Sequence, residues 1–113
     1  MSTTCETLET IEHVLKDCTA LAETRRRLHE FTLDFSADNP EAASLLTVFC
    51  NPANPHFCQF LVDCSVLPEV ILAYQSMGSS ILDKLFTVTR IWCYSLHRER
   101  LKILGKWTHG HKF

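Results

Sequence analysis

Three residues near the start of the chain have the types and the spacing of a zinc site. They are Cys5, His13 and Cys18, in the pattern Cys-x7-His-x4-Cys. Thiolate and imidazole are ligands that zinc prefers, and structural zinc sites are usually closed by four protein ligands. The fourth ligand is open between Cys50, Cys58, His56 and a water molecule. The alternative is that Cys18 is a small buried apolar residue and His13 a surface residue.

The segment that carries these ligands is predicted to be helical but interrupted. Apolar residues recur at helical spacing over about residues 8–17. On an unbroken α-helix, His13 and Cys18 would lie about 140° apart, because five residues turn by about 500°. They can share a metal only if the helix ends near Asp17. Thr19 is the predicted N-cap of the following helix, which fits such a break.

The rest of the chain is predicted to be helical as well, and we expect an all-α fold. Helices are predicted over about residues 20–32, 40–49, 56–66, 69–76 and 81–104, with a loop over residues 33–38. Asn39-Pro40, Pro68 and Gly78 give the clearest boundaries. The longest helix has an apolar stripe at three- and four-residue spacing: Leu82, Leu85, Thr89, Trp92 and Leu96. We expect a small irregular helical array with this C-terminal helix as its spine.

The 113 residues are enough for one small domain with one core. We expect a single helical domain over residues 1–107 and a flexible tail over residues 108–113. Within the domain, residues 1–35 are predicted to form a zinc-binding-like helical hairpin. Residues 36–78 supply the short helices, and residues 79–107 supply the long basic helix and its end.

Basic residues form two clusters that can contact phosphates. The first cluster is Arg25, Arg26 and Arg27. The second cluster is Arg98, Arg100, Lys102 and Lys106. Residues 1–64 carry four basic and ten acidic residues, whereas residues 65–113 carry seven basic and three acidic. A basic half of this kind can bind RNA or DNA, with Trp92, Tyr94 and Trp107 as stacking partners for bases. The alternative is a solvated helix face with Trp92 in the core.

The remaining cysteines are predicted to be packing residues. Cys58 and Cys64 lie about 120° apart on a helix, and Cys50 lies across a turn-rich break. These three thiols therefore do not converge on one metal. Cys93 and His97 are four residues apart, but a lone pair of this kind is far more often packing than a metal site.

Several classes of protein are disfavoured. No nucleophile elbow, phosphate loop, His-Glu-x-x-His or Gly-rich fingerprint is present, so we do not expect an enzyme. No apolar run approaches the ~18–20 residues of a membrane span, and the N-terminus lacks the basic and apolar regions of a secretory signal. Six cysteines without such a signal indicate a reducing compartment. We therefore expect an intracellular protein of the nucleus or cytoplasm, without a membrane partner.

Residues 9–18, ETIEHVLKDC, resemble the zinc-binding region that follows the reverse transcriptase domain in non-LTR (LINE-like) retrotransposon polyproteins. The pattern there is Cys-x2-Cys, seven or eight residues, Glu-Thr-x-Glu-His-(Leu/Val)-Leu-x-x-Cys-Pro, and then an Arg-rich helix. Cys5, His13 and Cys18 match its second, third and fourth ligands. Residues 22–28 match the Arg-bearing helix, and residues 85–107 resemble the basic tail that ends some of these polyproteins.

The chain departs from this pattern in three respects. Ser2 stands where the first cysteine would fall, and Thr19 stands where proline usually follows the last ligand. No reverse transcriptase motif is present, in particular no paired-Asp strand for catalytic metals. The resemblance implies a non-catalytic fragment, truncated at its N-terminus, that engages RNA or DNA with the help of a zinc site lacking one ligand.

Two hypotheses of function follow, and a third stands beside them. The first is a retrotransposon-derived, non-catalytic fragment with zinc-assisted RNA or DNA binding. The second is a small helical protein-interaction module, in which apolar residues of the long helix and the acidic first half meet a partner protein. Exposed apolar helix faces would also allow self-association. The third is a remnant with no selected function.

Overall fold

Every regular element in the part of the chain that this computed structural model describes, residues 12–103 and 105, is a helix or a helical turn. The α-helices are α1 (Ala22–Asp38), α2 (Pro40–Phe49), α3 (Phe57–Asp63), α4 (Pro68–Met77) and α5 (Ser79–Ile103). A π turn (His13–Asp17) and two 3-10 turns (Thr19–Leu21 and Cys64–Val66) accompany them. The all-α prediction, with a long C-terminal helix, is confirmed. The predicted tail lies outside the described residues.

Helix α5 is the element against which the others pack. It contacts each of α1 to α4 and both turns that precede α1. Its buried side chains follow three- and four-residue steps: Ile81, Leu85, Val88, Thr89, Trp92, Leu96 and Arg100. The predicted stripe is correct except at Leu82, which is half-buried while Ile81 points inward. A helix in this position is stabilised mainly by burial of its apolar face rather than by intrinsic propensity.

The centre of the core is Trp92, whose side chain is completely buried. Its ring lies edge-on to Phe57, with centroids 5.6 Å apart and an interplanar angle of 80°. The indole N–H donates to Thr32 Oγ1 at 2.8 Å, and the Thr32 hydroxyl donates to the Leu28 carbonyl at 2.8 Å. Because a buried indole N–H requires an acceptor, this chain of bonds ties α1 to α5 through the core.

Proline and glycine set the helix boundaries at the places where the sequence predicts them. Pro40 and Pro68 stand at the first positions of α2 and α4, where the fixed φ of proline suits a helix and its missing N–H costs nothing. Gly78 ends α4 with a φ of 84°, in the left-handed region that glycine adopts without strain. These predicted boundaries are confirmed to within a residue or two.

Helix α1 continues through residues 33–38, so the loop predicted there is wrong. The Asp and Ser residues of this segment favour a loop, but it contains neither glycine nor proline. Phe35 packs on the core, and its ring lies 6.0 Å from that of Phe31. Burial of Phe35 therefore outweighs weak local propensity. The helix ends only at Asn39, whose side-chain amide donates to the Phe35 carbonyl at 3.0 Å.

The helix predicted over residues 56–66 is divided at Asp63. Helix α3 ends there, and Cys64–Val66 forms a 3-10 turn. The Asp63 carboxylate accepts the backbone N–H of Ser65 at 3.1 Å. Side chain-to-backbone bonds of this kind compete with the helical ladder, which explains why the α-helix stops.

Hydropathy and exposure single out the surface of α3 and α4. No single helix in residues 12–103 is long and apolar enough to cross a membrane. Phe57–Val66 and Pro68–Met77 have the length and composition of a membrane span only when taken together, and they are bent by 42° at the break between them. This segment exposes several large apolar side chains: Val62, Val66, Ile71, Leu72, Tyr74 and Met77. We call these six residues the α3–α4 apolar surface. Residues 28–83, which include this segment, contain no Lys or Arg.

Candidate functional site

The predicted break between His13 and the next helix is present at Cys18. The backbone N–H of Cys18 donates to the His13 carbonyl at 2.8 Å, and Cys18 itself is extended, with a ψ of 115°. The prediction that the first helix ends at Asp17 is confirmed. Thr19 is not the N-cap, because it lies inside the 3-10 turn, and no side-chain cap bond forms there. The N-cap prediction for Thr19 is therefore wrong.

The π turn changes the angular separation of His13 and Cys18, the two ligand candidates among the described residues. An i→i+5 hydrogen bond closes a wider turn than the α-helical i→i+4 bond. His13 and Cys18 are the first and last residues of that single turn, and so do not take the ~140° separation of an α-helix. His13 is half-buried and Cys18 is completely buried.

Two arginines anchor this turn to the body of the fold. Arg25 Nη1 donates to the Val14 carbonyl at 3.2 Å, and Arg25 Nη2 donates to the Cys18 carbonyl. Arg100 is buried, with 4% of its surface exposed, and its Nη1 donates to Cys18 Sγ at 3.6 Å. A cationic donor suits carbonyls at the C-terminal end of a helical turn, and the Cys18 sulfur is a weak acceptor for Arg100. Arg25 and Arg100 therefore face the turn rather than solvent.

The candidates for a fourth ligand differ in where they lie. Cys50 is 2% exposed, and its burial raises the pKa of the thiol to about 12. Burial also raises the pKa of Cys58, with further increases from Glu12 and Asp17 and a decrease from Lys16. Cys58 thus lies near the π turn and Cys50 lies in the core.

The described residues alone do not complete a metal site. No group of three or more His, Cys, Asp or Glu side chains converges within residues 12–103 and 105. Cys5 lies outside the described residues. The donor set of Cys5, His13 and Cys18 is still one that zinc favours, and the Arg100 bond to Cys18 Sγ is of the kind that supports a ligating thiolate.

Consecutive arginines on α1 point in different directions. Arg26 is exposed and pairs with Glu30 at 2.8 Å and with Glu23, and this guanidinium lowers the pKa of Glu23. The side chain of Arg27 is 64% exposed, and its Nε lies 3.8 Å from Glu23 Oε2. Arg27 is therefore the member of the first basic cluster that is both exposed and only loosely paired.

Arg27 lines a groove of about 270 Å³ between α1 and α5. Helix α1 contributes Thr24, Arg27, Leu28 and Phe31. Helix α5 contributes Ile91, Ser95, Arg98 and Glu99. We call these eight residues the α1–α5 groove. Its floor is apolar, and each of its two walls carries an arginine.

Arg98 is held in the wall by two neighbours, Tyr94 and Glu99. Its guanidinium lies 5.6 Å from the centre of the Tyr94 ring, a cation–π distance. Its Nε lies 3.4 Å from Glu99 Oε2, and the same carboxylate oxygen lies 3.1 Å from Lys102 Nζ. Within the described residues, Arg98 Nε is a buried nitrogen without a hydrogen-bond partner, because the Glu99 contact lacks the required geometry. Lys106 lies outside the described residues.

The structure therefore separates the described basic residues of the two clusters into three groups. Arg27 and Arg98 line the groove and Lys102 pairs with Glu99 beside it. Arg25 and Arg100 hold the π turn, and Arg26 pairs with Glu23 and Glu30. The sequence prediction missed Phe31 and Glu99. Helical spacing was the available signal, since Thr24, Leu28 and Phe31 recur on one face, but spacing alone does not tell which two helices meet.

Comparison with known proteins identifies no relative. No protein-family model, no curated protein and no solved structure matches the chain. What the chain does is therefore inferred from its residues and their contacts.

Proposed function

We propose that this chain binds single-stranded RNA or DNA through the α1–α5 groove and the cations beside it, without catalysis. The observation that carries the proposal is that Arg27 and Arg98 face one groove with an apolar floor, and that Lys102 stands one turn beyond Arg98. Proteins that bind single strands combine a cationic groove with aromatic side chains on which bases stack. The resemblance of residues 9–18 to the zinc-binding region of LINE-like polyproteins supports the same proposal and an origin from such a polyprotein.

The ion pairs on this surface leave its cations accessible to phosphate. Glu99 is the partner of Arg98 and Lys102, and Glu23 that of Arg27. Surface ion pairs are worth only about 0–1 kcal/mol each. A phosphate is a stronger, bidentate acceptor for arginine than a loosely held carboxylate at 3.4–3.8 Å. Nucleic acid can therefore displace these carboxylates at a small cost.

Zinc has a defined structural role within this proposal. Cys5, His13 and Cys18 would hold the ion, and a bound zinc would fix the first segment of the chain against α1 and α5. The ion supplies folding free energy rather than chemistry in sites of this type. Arg100, which donates to Cys18 Sγ, would orient the ligating sulfur.

Binding is expected to depend on salt and on two arginines. The double variant Arg27→Gln/Arg98→Gln should bind a single-stranded oligonucleotide at least about a hundredfold more weakly, because two charge-assisted hydrogen bonds worth about 1.5 kcal/mol or more each are lost. The slope of log K against log salt should become shallower by about 1.4, that is about 0.7 per lost phosphate contact. Fluorescence anisotropy of a labelled oligonucleotide at several salt concentrations measures both quantities.

Arg90→Gln is the matched control for this experiment. Arg90 is exposed on α5 but lies about 140° around the helix from Ser95. An equal loss of affinity in Arg90→Gln and in the double variant would contradict a binding site at the groove. Salt-independent binding by the wild type would contradict phosphate contact altogether.

Zinc content is expected to depend on His13. Purified protein should hold zinc, and His13→Ala should weaken its affinity by at least about tenfold, as loss of a group from a zinc site commonly does. Competition with a chromogenic chelator measures the affinity. His29→Ala is the control, because His29 is an exposed histidine elsewhere on α1. Equal zinc affinity in the wild type and His13→Ala would remove the proposed site.

A second candidate function, that of a protein-interaction module, is favoured by the α3–α4 apolar surface. Leu72 is 62% exposed and Val62 57%, and large apolar side chains exposed along one segment favour contact with a partner protein. The two candidates differ in their response to salt. Association through this surface would persist at high salt, because burial of apolar area is not screened.

A further inference from the structure

We propose that the α1–α5 groove is a subsite for one nucleotide, in which a phosphate takes the place of the Glu99 carboxylate against Arg98 and Lys102 and the base lies on Phe31. This inference rests on the proposed function. It adds that the groove binds one nucleotide and that the Glu99 carboxylate competes with the phosphate of that nucleotide. The volume of about 270 Å³ lies just below the range of small-molecule sites, which begins at about 300 Å³. It accommodates one nucleotide unit rather than a stacked run of bases.

Glu99 marks the position of the anion. One of its carboxylate oxygens lies between two cations, 3.4 Å from Arg98 Nε and 3.1 Å from Lys102 Nζ. A phosphate offers more acceptor oxygens than a carboxylate and matches the planar guanidinium in a bidentate manner. Arg27 on the opposite wall gives the entering phosphate a third cation. Glu99 is therefore an internal occupant that a nucleotide must displace.

Arg98 is prepared for an additional acceptor. Its guanidinium is positioned over Tyr94 at 5.6 Å, so little freedom is lost when it binds a ligand. Within the described residues, its Nε–H is a buried donor that makes no hydrogen bond. Native proteins rarely leave such a donor unpaired. A phosphate oxygen in the place of the Glu99 carboxylate supplies the missing acceptor.

The opposite part of the groove suits a base and a sugar. Phe31 is half-buried and lines the groove together with Leu28 and Ile91, which gives an aromatic and apolar floor. Stacking of bases on aromatic rings tolerates any sequence. The hydroxyls of Thr24 and Ser95 line the same groove and offer donors and acceptors to a base edge or a ribose hydroxyl.

Three ligands and two variants test the subsite. The ligands are a ten-residue oligouridylate, uridine 5′-monophosphate and inorganic pyrophosphate. Glu99→Gln should tighten binding of all three by at least about twofold, because two surface ion pairs worth about 0–1 kcal/mol each no longer compete with the ligand. Phe31→Leu should weaken the oligonucleotide and the monophosphate by at least about fivefold, and should leave pyrophosphate unchanged because it has no base to stack.

Matched controls keep the outcome interpretable. Asp83→Asn removes one exposed acid elsewhere on α5, and Phe35→Leu makes the same aromatic change one turn further along α1. Thermal melting confirms that all four variants are folded. The subsite is overturned if Glu99→Gln behaves like Asp83→Asn, or if Phe31→Leu weakens pyrophosphate as much as the oligonucleotide.

The subsite and the proposed function fail in different ways. Loss of oligonucleotide binding in Arg27→Gln/Arg98→Gln, together with wild-type behaviour of Glu99→Gln and Phe31→Leu, would keep the nucleic-acid function and overturn the subsite. Binding of the monophosphate without binding of the oligonucleotide would keep the subsite for a free nucleotide and overturn the nucleic-acid function. Absence of binding by all three ligands would overturn both.

Discussion

Trp92→Ala is expected to lower the free energy of unfolding by about 3–5 kcal/mol, the usual cost of deleting a large buried aromatic side chain. The Trp92 side chain is completely buried, packs edge-on to Phe57 and donates its N–H to Thr32. The change removes apolar burial, an aromatic pair and the N–H that donates to Thr32 Oγ1. Because small domains are stable by only about 5–15 kcal/mol, this loss is a substantial fraction of the total stability. Urea denaturation followed by circular dichroism measures the difference.

One further variant measures how much of this loss of stability comes from the hydrogen bond, and a second variant is the control. Thr32→Val removes the acceptor of the indole N–H while keeping the side-chain volume, and should cost about 1–3 kcal/mol for the unpaired buried donor. Tyr94→Ala is the control, because Tyr94 is a neighbouring aromatic residue that is 46% exposed. A cost for Tyr94→Ala as large as that for Trp92→Ala would contradict the central position of Trp92 in the core.

Alkaline pH is expected to destabilise the protein through Cys50. The thiol has an ordinary pKa of 9.0, and burial raises it to about 12 in the folded chain. Below pH 9 both states hold the proton, so stability does not depend on this group. Between pH 9 and pH 12 only the unfolded state releases it, which favours unfolding. At pH 11 the loss should be about 2–3 kcal/mol, since one pKa unit corresponds to about 1.4 kcal/mol.

Comparison with Cys50→Ala isolates this contribution from the other groups that titrate above pH 9. The variant loses packing at every pH, but it has no thiol to ionise. The stability difference between the wild type and the variant should therefore narrow as the pH rises from 8 to 11, in denaturation curves recorded at each pH. Parallel pH profiles would contradict the raised pKa.

Local signals predicted the fold well where they act on the backbone itself. Pro40, Pro68 and Gly78 restrict φ directly, so their positions determine helix ends whatever the helix packs against. Residues 33–38 were mispredicted because their composition only disfavours a helix weakly, and Phe35 gains more by packing on the core. That gain depends on tertiary contacts, which the local pattern does not contain.

In the candidate site, too, local spacing predicts some features and tertiary packing determines the others. The divergence of Arg25, Arg26 and Arg27 follows from the sequence, because consecutive residues on a helix turn by about 100°. Likewise Arg98 and Arg100, two residues apart, must lie about 200° apart on α5. The packing of α1 and the π turn on α5 determines that Arg98 faces the groove and Arg100 faces Cys18. The sequence alone does not contain this information.

The contact between Arg100 and Cys18 joins positions 82 residues apart, and this separation has a consequence for the order of folding. The helices from α1 to α5 can assemble around Trp92 without the first turn. The first turn is held by Arg25 of α1 and by Arg100 of α5, so its contacts are complete only after the last part of α5 has formed. Contacts that close such long loops are typically made late. The backbone amides of residues 13–18 should therefore exchange with solvent before those of the core helices.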